Sequence, residues 1–305
     1  MIKKILIIGG NGFLGFNTAK VLSKLNFKLL LLCKKRKKSL EIKGIKYIYC
    51  DITNYQKLKK KIDIKKNKID CVINFSGNIN HSNKRENFKV HFIAFKHLLN
   101  IFKKKDLKLF IQAGSSAEYG NCASPQKEKA KCKPNSSYGL AKYSASKLLI
   151  NKNYFKFVIL RLYQVFGPYQ KIDRLVPFTI NSCLKNKPFN CTEGNQKRDF
   201  LFVEDLTNLI VKIVKKKNFD SGIFNVGQGK PVSVRYVVNN IKKIIQKGKP
   251  IFGGIEMRND ENKLLYPNIY NAKKTFNWSP NTSFNKGIKK TIKFYKHLHL
   301  NNKGV

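Results

Sequence analysis

Short apolar runs alternate with stretches of helical periodicity through the first half of the chain. Ile5-Leu-Ile-Ile8 has no polar alternate, as expected of a strand buried on both faces. Leu29–Leu32, Ile45–Tyr49, Ile69–Phe75, Leu107–Gln112 and Phe157–Leu162 are further short, mostly apolar runs and predict five more strands. Between them, Phe13–Leu25, a lysine-rich stretch, Phe88–Phe102 and Ser137–Asn151 read as helices. Strand and helix in strict alternation predict an α/β fold with a parallel, doubly wound sheet. After Gly167-Pro168 the rhythm breaks, and turns are expected at Glu193-Gly-Asn195, Gly227-Gln-Gly229 and Gly253-Gly254. Strand-like Phe200–Val203 then leads into a helix reaching Lys216. The division expected is residues 1–166 as a nucleotide-binding domain and 167–305 as mostly a smaller, interleaved C-terminal substrate-binding lobe, with elements returning to the sheet near 198–227.

The 305 residues, 42% of them apolar, suffice for such a two-part fold. No apolar run reaches the roughly 20 residues of a membrane span. Ile2–Ile8 contains Lys3 and Lys4 and is too short for a signal-peptide core, so a cytoplasmic protein without membrane insertion is expected. The seven cysteines include no CxxC spacing, which argues against a disulfide framework or a zinc site. No metal is needed for the chemistry below. The net charge of +45 would by itself suggest nucleic acid. The lysines, however, are spread along the whole chain and far outnumber the arginines. A solvated basic surface that attracts anionic substrates is the expectation, with no nucleic-acid partner.

Two motifs carry chemistry. Gly9, Gly12 and Gly15 form a GxxGxxG loop between the first strand and the first helix, the context of a dinucleotide site in a Rossmann-type fold. With Phe13 and Leu14 they bring backbone and a helix N-terminus to a pyrophosphate. The second strand should end at the adenosine ribose, where an acidic residue commonly marks NAD. Cys33 stands there instead, followed by Lys34, Lys35 and Arg36, cations suited to a 2′-phosphate. NADP is therefore expected, with NAD as the alternative. Asp51 and Ile52 follow the third strand and are candidates for the adenine end. Phe75, Ser76 and Gly77 follow the fourth and would lie beside the cofactor.

The second motif is Tyr138-Gly-Leu-Ala-Lys142, a phenol and an ammonium one helical turn apart on one face. A nearby ammonium is expected to lower the phenol's pKa, so that Tyr138 can exchange a proton with a sugar oxygen while hydride moves. Lys142 would also reach the nicotinamide ribose. Ser115 and Ser116, at the carboxyl end of the fifth strand, are candidates to bond the reacting oxygen.

With these residues the chain resembles the NAD(P)-dependent epimerase/dehydratase group of extended short-chain dehydrogenase/reductases, which act on nucleotide sugars. The resemblance runs nearly end to end, through GGNGFLG, SSAEYG ending at Gly120, YGLAK, Leu160–Pro168, Gln196–Asp205, Phe224–Gly227, Arg258-Asn-Asp260 and Asn277–Pro280. It implies a catalytic triad of Ser115, Tyr138 and Lys142, a nucleotide-diphosphate sugar as substrate, and a homodimer. It assigns Arg198 and Arg258 to the diphosphate, with Arg235 as a further candidate and Ser116 as a substitute for Ser115. The acidic pair that sugar 4,6-dehydratases carry after the catalytic hydroxyl is Ser116 and Ala117 here, and Glu118 comes one place late, which disfavours dehydration. His91 stands near the family's usual asparagine, and Asn74-Phe-Ser-Gly77 replaces an HLAA-type segment. Two chemistries stay open. One is NADPH-dependent reduction of a 4-keto-deoxyhexose, favoured by Cys33–Arg36 and by the likeness of SSAEYG to reductases of the CDP-abequose synthase type. The other is 4-epimerisation by transient oxidation with the same triad. A non-catalytic NADP- or nucleic-acid-binding role is the minor alternative.

Overall fold

The short apolar runs become strands of one parallel sheet with helices on both faces. In the computed structural model, which describes residues 1–62, 68–77, 83–103, 107–152, 154–257 and 261–301, the first six strands are β1 (Lys4–Ile8), β2 (Lys28–Cys33), β3 (Lys46–Tyr49), β4 (Cys71–Asn74), β5 (Leu109–Ser115) and β6 (Phe157–Leu162). Seven more follow among the described residues: β7 (Gln164–Phe166), β8 (Pro188–Cys191), β9 (Lys197–Phe202), β10 (Gly222–Val226), β11 (Pro231–Ser233), β12 (Lys249–Phe252) and β13 (Leu264–Leu265). The large sheet has the order β10-β6-β5-β4-β1-β2-β3 and is parallel throughout.

Strand side chains alternate between two helix layers. Ile5, Ile7, Leu29, Leu31 and Ile73 face the layer that includes Ala19, Leu206 and Leu209. Leu6, Ile8, Leu30, Leu32 and Val72 face the layer that includes Phe95, Leu98 and Leu149. Each fully buried Ile or Leu stabilises the fold by about 1.5–3 kcal/mol, and the polar side chains the sheet does bury are partnered, Asn74 with Gln112 at 2.8 Å and Arg161 with Glu118 at 3.0 Å. Strand order reverses beside β1, whose two neighbours β2 and β4 leave in opposite directions, and this opens the crevice used for ligands in such sheets.

Several boundaries differ from the periodicity. The first helix is Phe13–Leu22, three residues short of Leu25, because the chain turns at once toward β2. The helix expected from Phe88 begins at Lys84, where the Asn83 side chain accepts from the Glu86 N–H at 2.9 Å. It then widens into a π-turn over Lys89–Ile93 before continuing as Ala94–Phe102. An inserted residue of this kind shifts the helical phase, which a fixed period cannot register.

The second half is mixed. β9 lies in a smaller sheet ordered β11-β9-β13, with β7 also paired to β9, while β10 returns to the large sheet beside β6. The Val203–Lys215 helix packs with the first helix over the same core. Phe166, Phe200, Phe202 and Phe284 join the two halves through ring contacts. Among the described residues no helix is long and apolar enough to cross a membrane.

Candidate active site

The glycine loop closes the carboxyl end of β1. Gly9 holds φ +77, a left-handed conformation that favours glycine, and a Cβ there would sit 3.0 Å from the Phe75 carbonyl group. A Cβ on Gly15 would lie 2.2 Å from the Gly9 carbonyl oxygen, so this position lets the helix start directly on the loop. A Cβ on Gly12 would meet only the Gly9 oxygen at 3.2 Å within 4 Å. Phe13, Leu14 and Gly15 occupy the first helical turn, whose N–H groups have no preceding carbonyls in register, and no acidic residue stands in that turn. This cradle of backbone donors at a helix N-terminus fits a dinucleotide pyrophosphate.

Cys33 ends β2 fully buried, and burial pushes its thiol up. The cations after it have partners. Lys34 Nζ lies 2.8 Å from Asp51 Oδ2, and Arg36 Nε lies 2.8 Å from Glu41 Oε1. The Arg36 Nη2 also donates to Glu41 Oε2 at 3.1 Å, and the Tyr49 hydroxyl donates to Glu41 Oε1 at 2.9 Å. The other oxygen of Asp51 accepts from the backbone and hydroxyl of Thr53. Burial pushes Asp51 up, but Lys34 and Thr53 outweigh it and hold the carboxyl below its ordinary range. Ile52 is buried beside it. After β4, Asn74 Oδ1 accepts from the Ser76 N–H and hydroxyl, fixing Phe75–Gly77 against the sheet.

Ser115, Tyr138 and Lys142 come together at the carboxyl end of β5. The Ser137–Lys152 helix carries Tyr138 and Lys142 on one face. The Ser115 hydroxyl hydrogen-bonds the Tyr138 phenol. Lys142 is 5% exposed, its Nζ donates to the Ala113 carbonyl at 2.9 Å, and it lies 5.9 Å from the centre of the Tyr138 ring. Burial lowers Lys142 to about 8. Burial also raises Tyr138 above its ordinary value, against the hydrogen bond from Ser115. This corrects the expectation of a phenol lowered by the neighbouring ammonium: the ammonium is turned to a backbone carbonyl, and desolvation dominates. The edge of the Tyr138 environment is His91, whose ring stands at 85° to the phenol ring with centroids 5.0 Å apart. A Cβ on Gly77 would meet His91 Cε1 at 2.7 Å, so the imidazole packs between the loop after β4 and the tyrosine.

A second cavity-forming cluster lies beside the smaller sheet. Arg198, on β9, lines a cavity of about 320 Å³ with Gln164, Phe178, Asn190, Gln196 and Glu261. Its Nη2 donates to Glu261 Oε1 at 2.5 Å. Arg235 is not in that lining: its guanidinium is held by the Glu193 carbonyl at 2.9 Å and carboxylate at 2.8 Å, and stacks 4.0 Å from the centre of the Phe252 ring. Arg258 lies outside the described residues.

The family model of the NAD dependent epimerase/dehydratase family matches residues 5–227, about three-quarters of the chain. The protein belongs to this family. Similar to it is a CDP-abequose synthase from Salmonella muenchen, 27% identical over 95% of this chain and 97% of its own length. A UDP-glucose 4-epimerase from Thermotoga maritima, solved with UDP-glucose, has the same fold, with a TM-score of 0.90 at 21% identity over 97% of this chain and 99% of that one. A UDP-glucuronic acid 4-epimerase from Bacillus cereus, solved with UDP-glucuronic acid and NAD, has a TM-score of 0.86 at 25% identity over 97% of this chain and 99% of that one.

For this epimerase/dehydratase family member, sequence reasoning assembled the glycine loop and the Ser115–Tyr138–Lys142 cluster but missed their supports. Ser116 follows Ser115 but is buried, at the start of a short 3₁₀ turn. Glu118, one place late for a dehydratase's acidic pair, is 0% exposed and paired with Arg161, which is 2% exposed. The signal was present: Ser115-Ser-Ala-Glu118 reads S-x-x-E, a capping box. The carboxylates that meet Lys34, Arg36 and Arg198 left no comparable trace, because Asp51, Glu41 and Glu261 reach them from other segments.

Proposed function

We propose that this protein is an NADPH-dependent 4-ketoreductase of nucleotide-diphosphate deoxyhexoses. The observation that carries the reading is the gathering of Ser115, Tyr138 and Lys142 at the carboxyl end of β5, where Tyr138 stands as a neutral phenol beside the Ser115 hydroxyl. Reduction of a carbonyl needs that form, since the oxygen gains a proton as the carbon gains hydride. Oxidation of a sugar hydroxyl would begin from the ionised form.

The residues that would hold the cofactor are the backbone of Gly9 and Gly12–Gly15 at the pyrophosphate, Lys34 and Arg36 at a 2′-phosphate, Asp51 and Ile52 at the adenine, and Phe75–Gly77 with Lys142 toward the nicotinamide. When bound, the nicotinamide supplies the hydride. The Ser115 hydroxyl and the Tyr138 phenol bond the 4-keto oxygen and orient the carbonyl. As negative charge grows on that oxygen, Tyr138 passes it a proton and becomes the phenolate. The Lys142 ammonium, already buried nearby, stabilises the phenolate through the field it exerts in a low-dielectric site. Arg198 is proposed for the substrate's diphosphate, an anion able to take the place of Glu261 on its guanidinium. Arg258 is proposed for the same diphosphate on the resemblance alone.

With a 4-keto-6-deoxyhexose on CDP, dTDP, GDP or UDP, we expect one NADPH oxidised per sugar reduced, read at the nicotinamide absorbance. Arg36→Ser should weaken the preference for NADPH over NADH by about tenfold, the scale of one charge-assisted contact. Equal use of NADH by the unaltered protein would remove NADP from the proposal.

A second reading, 4-epimerisation with tightly held NAD, is favoured by the pairing of Lys34 with Asp51 and of Arg36 with Glu41, which leaves both cations balanced before any 2′-phosphate arrives. Interconversion of a UDP- or CDP-hexose without added reductant would select it. A homodimer is part of the proposal. Exposed Phe88 and Ile93 on the 84–102 segment and Leu140 and Ile150 on the Ser137–Lys152 helix are the apolar side chains it would cover. Sedimentation should give about twice the mass of the 35.2 kDa chain, and a monomer at micromolar concentration would sink this part.

A further inference from the structure

Glu118 sits directly behind the reactive cluster, and its two oxygens point to different tasks. Oε1 accepts from the Ser115 N–H at 2.9 Å, and Oε2 accepts from Arg161 Nε at 3.0 Å. Ser115 Oγ in turn accepts from the Ala117 N–H at 3.2 Å, so serine and glutamate cap one 3₁₀ turn reciprocally. Gly114 is shaped for this carboxylate, since a Cβ there would lie 2.6 Å from Oε1. A capping box is served equally by glutamine, which needs no counter-ion. A carboxylate supplied with its own buried arginine exceeds what the turn requires.

We propose that Glu118 is a positioning residue of this site, aiming the Ser115 hydroxyl at Tyr138 and setting a fixed negative charge behind the Tyr138–Lys142 pair. The proposal rests on the triad reading above. The charge acts on both members in one sense: it raises Tyr138 in addition to burial, and it opposes the lowering of Lys142 by burial. A proton is thereby held on the phenol and on the ammonium together. The other groups facing Tyr138 are Ser115 from β5, His91 from the π-turn, Lys142 from its own helix, and Arg174, whose charge works in the opposite direction. Those facing Glu118 are Arg161 from β6, Lys142, and Cys132, which feels the same charge.

Removing one member of a buried ion pair can unfold the protein, so the test uses two double variants. Glu118→Gln/Arg161→Met keeps the capping box and removes the pair. Glu118→Val/Arg161→Met removes both. Each is checked for folding by circular dichroism. Titration of Tyr138 is read as the tyrosinate absorbance lost when Tyr138→Phe is added to the same background. In the Gln variant we expect this titration to move down, because of the two charges removed it is that of Glu118 that raises Tyr138. In the Val variant we expect kcat to fall a further tenfold or more below the Gln variant, with KM within about twofold, as misplacement of a reacting group costs. Either an unmoved titration in the Gln variant or an equal kcat in the two variants overturns the proposal. Should the unaltered protein reduce no keto sugar, the functional reading fails by itself, and the titration still decides the role of Glu118.

Discussion

Tyr138→Phe should lower kcat for reduction by about 100- to 10,000-fold, the range over which a positioned proton donor accelerates such steps. The substitution removes one oxygen and leaves the ring, so the packing against His91 at 5.0 Å persists and KM should change little. What remains is orientation of the carbonyl by Ser115 and the positive field of Lys142, which accounts for a residual rate above background. The pH profile gives a second, independent sign. On the proposed mechanism of reduction the required forms are the phenol and the ammonium. Lys142, lowered to about 8 by burial, sheds its charge first as pH rises, and Tyr138, raised by burial, ionises later. Reduction should therefore hold through neutrality and decline in alkali, starting near pH 8. In the Phe variant the later part of that decline disappears. Undiminished turnover by Tyr138→Phe would remove this tyrosine from the mechanism.

How much of this could be read from the chain depends on whether a feature is local. The first six strands of the large sheet were legible as short, mostly apolar runs such as Ile5–Ile8, whereas β10, with Gly222 and Asn225 among its five residues, carries no comparable run. The glycine loop was legible because three backbone constraints fall within seven consecutive residues. Tyr138 and Lys142 were legible as a shared face because helical geometry alone puts them there. Their protonation was not, since it depends on what buries them and on where the Lys142 ammonium finds its acceptor, Ala113. The same limit applies to the basic strand end. Lys34 and Arg36 stand out in sequence, but the carboxylates that balance them come from Asp51 after β3 and from Glu41 in the connection between β2 and β3. The π-turn that carries His91 to Tyr138 is a break in periodicity, and a periodic reading averages over it.

Arg161→Met should cost about 3–5 kcal/mol of global stability, measured by urea unfolding, because it strands the Glu118 carboxylate in a site with no exposure to water. Against a total stability of about 5–15 kcal/mol this is a large fraction. β6 reads Phe-Val-Ile-Leu-Arg-Leu, and at Arg161 a cation replaces the expected aliphatic residue in a central strand. Three neighbours make that tolerable. Glu118 lies 3.0 Å from Nε, the Tyr119 ring centre lies 4.4 Å from the guanidinium carbon, and Tyr119 is anchored by donating to Asn225 Oδ1 at 2.7 Å. Burial raises Tyr119 to about 12, so the ring faces the arginine as a neutral phenol. Methionine fills a similar volume without charge, so the loss measures the abandoned carboxylate more than a cavity. Adding Glu118→Gln should then recover most of the loss, since a buried pair replaced at both ends is often close to neutral. The non-additivity between the single and double variants is the quantity of interest. If Arg161→Met stays within about 1 kcal/mol of the unaltered protein, the pair contributes little. Glu118 would then keep only its place in the capping box, and the charge behind Tyr138 would have to come from elsewhere.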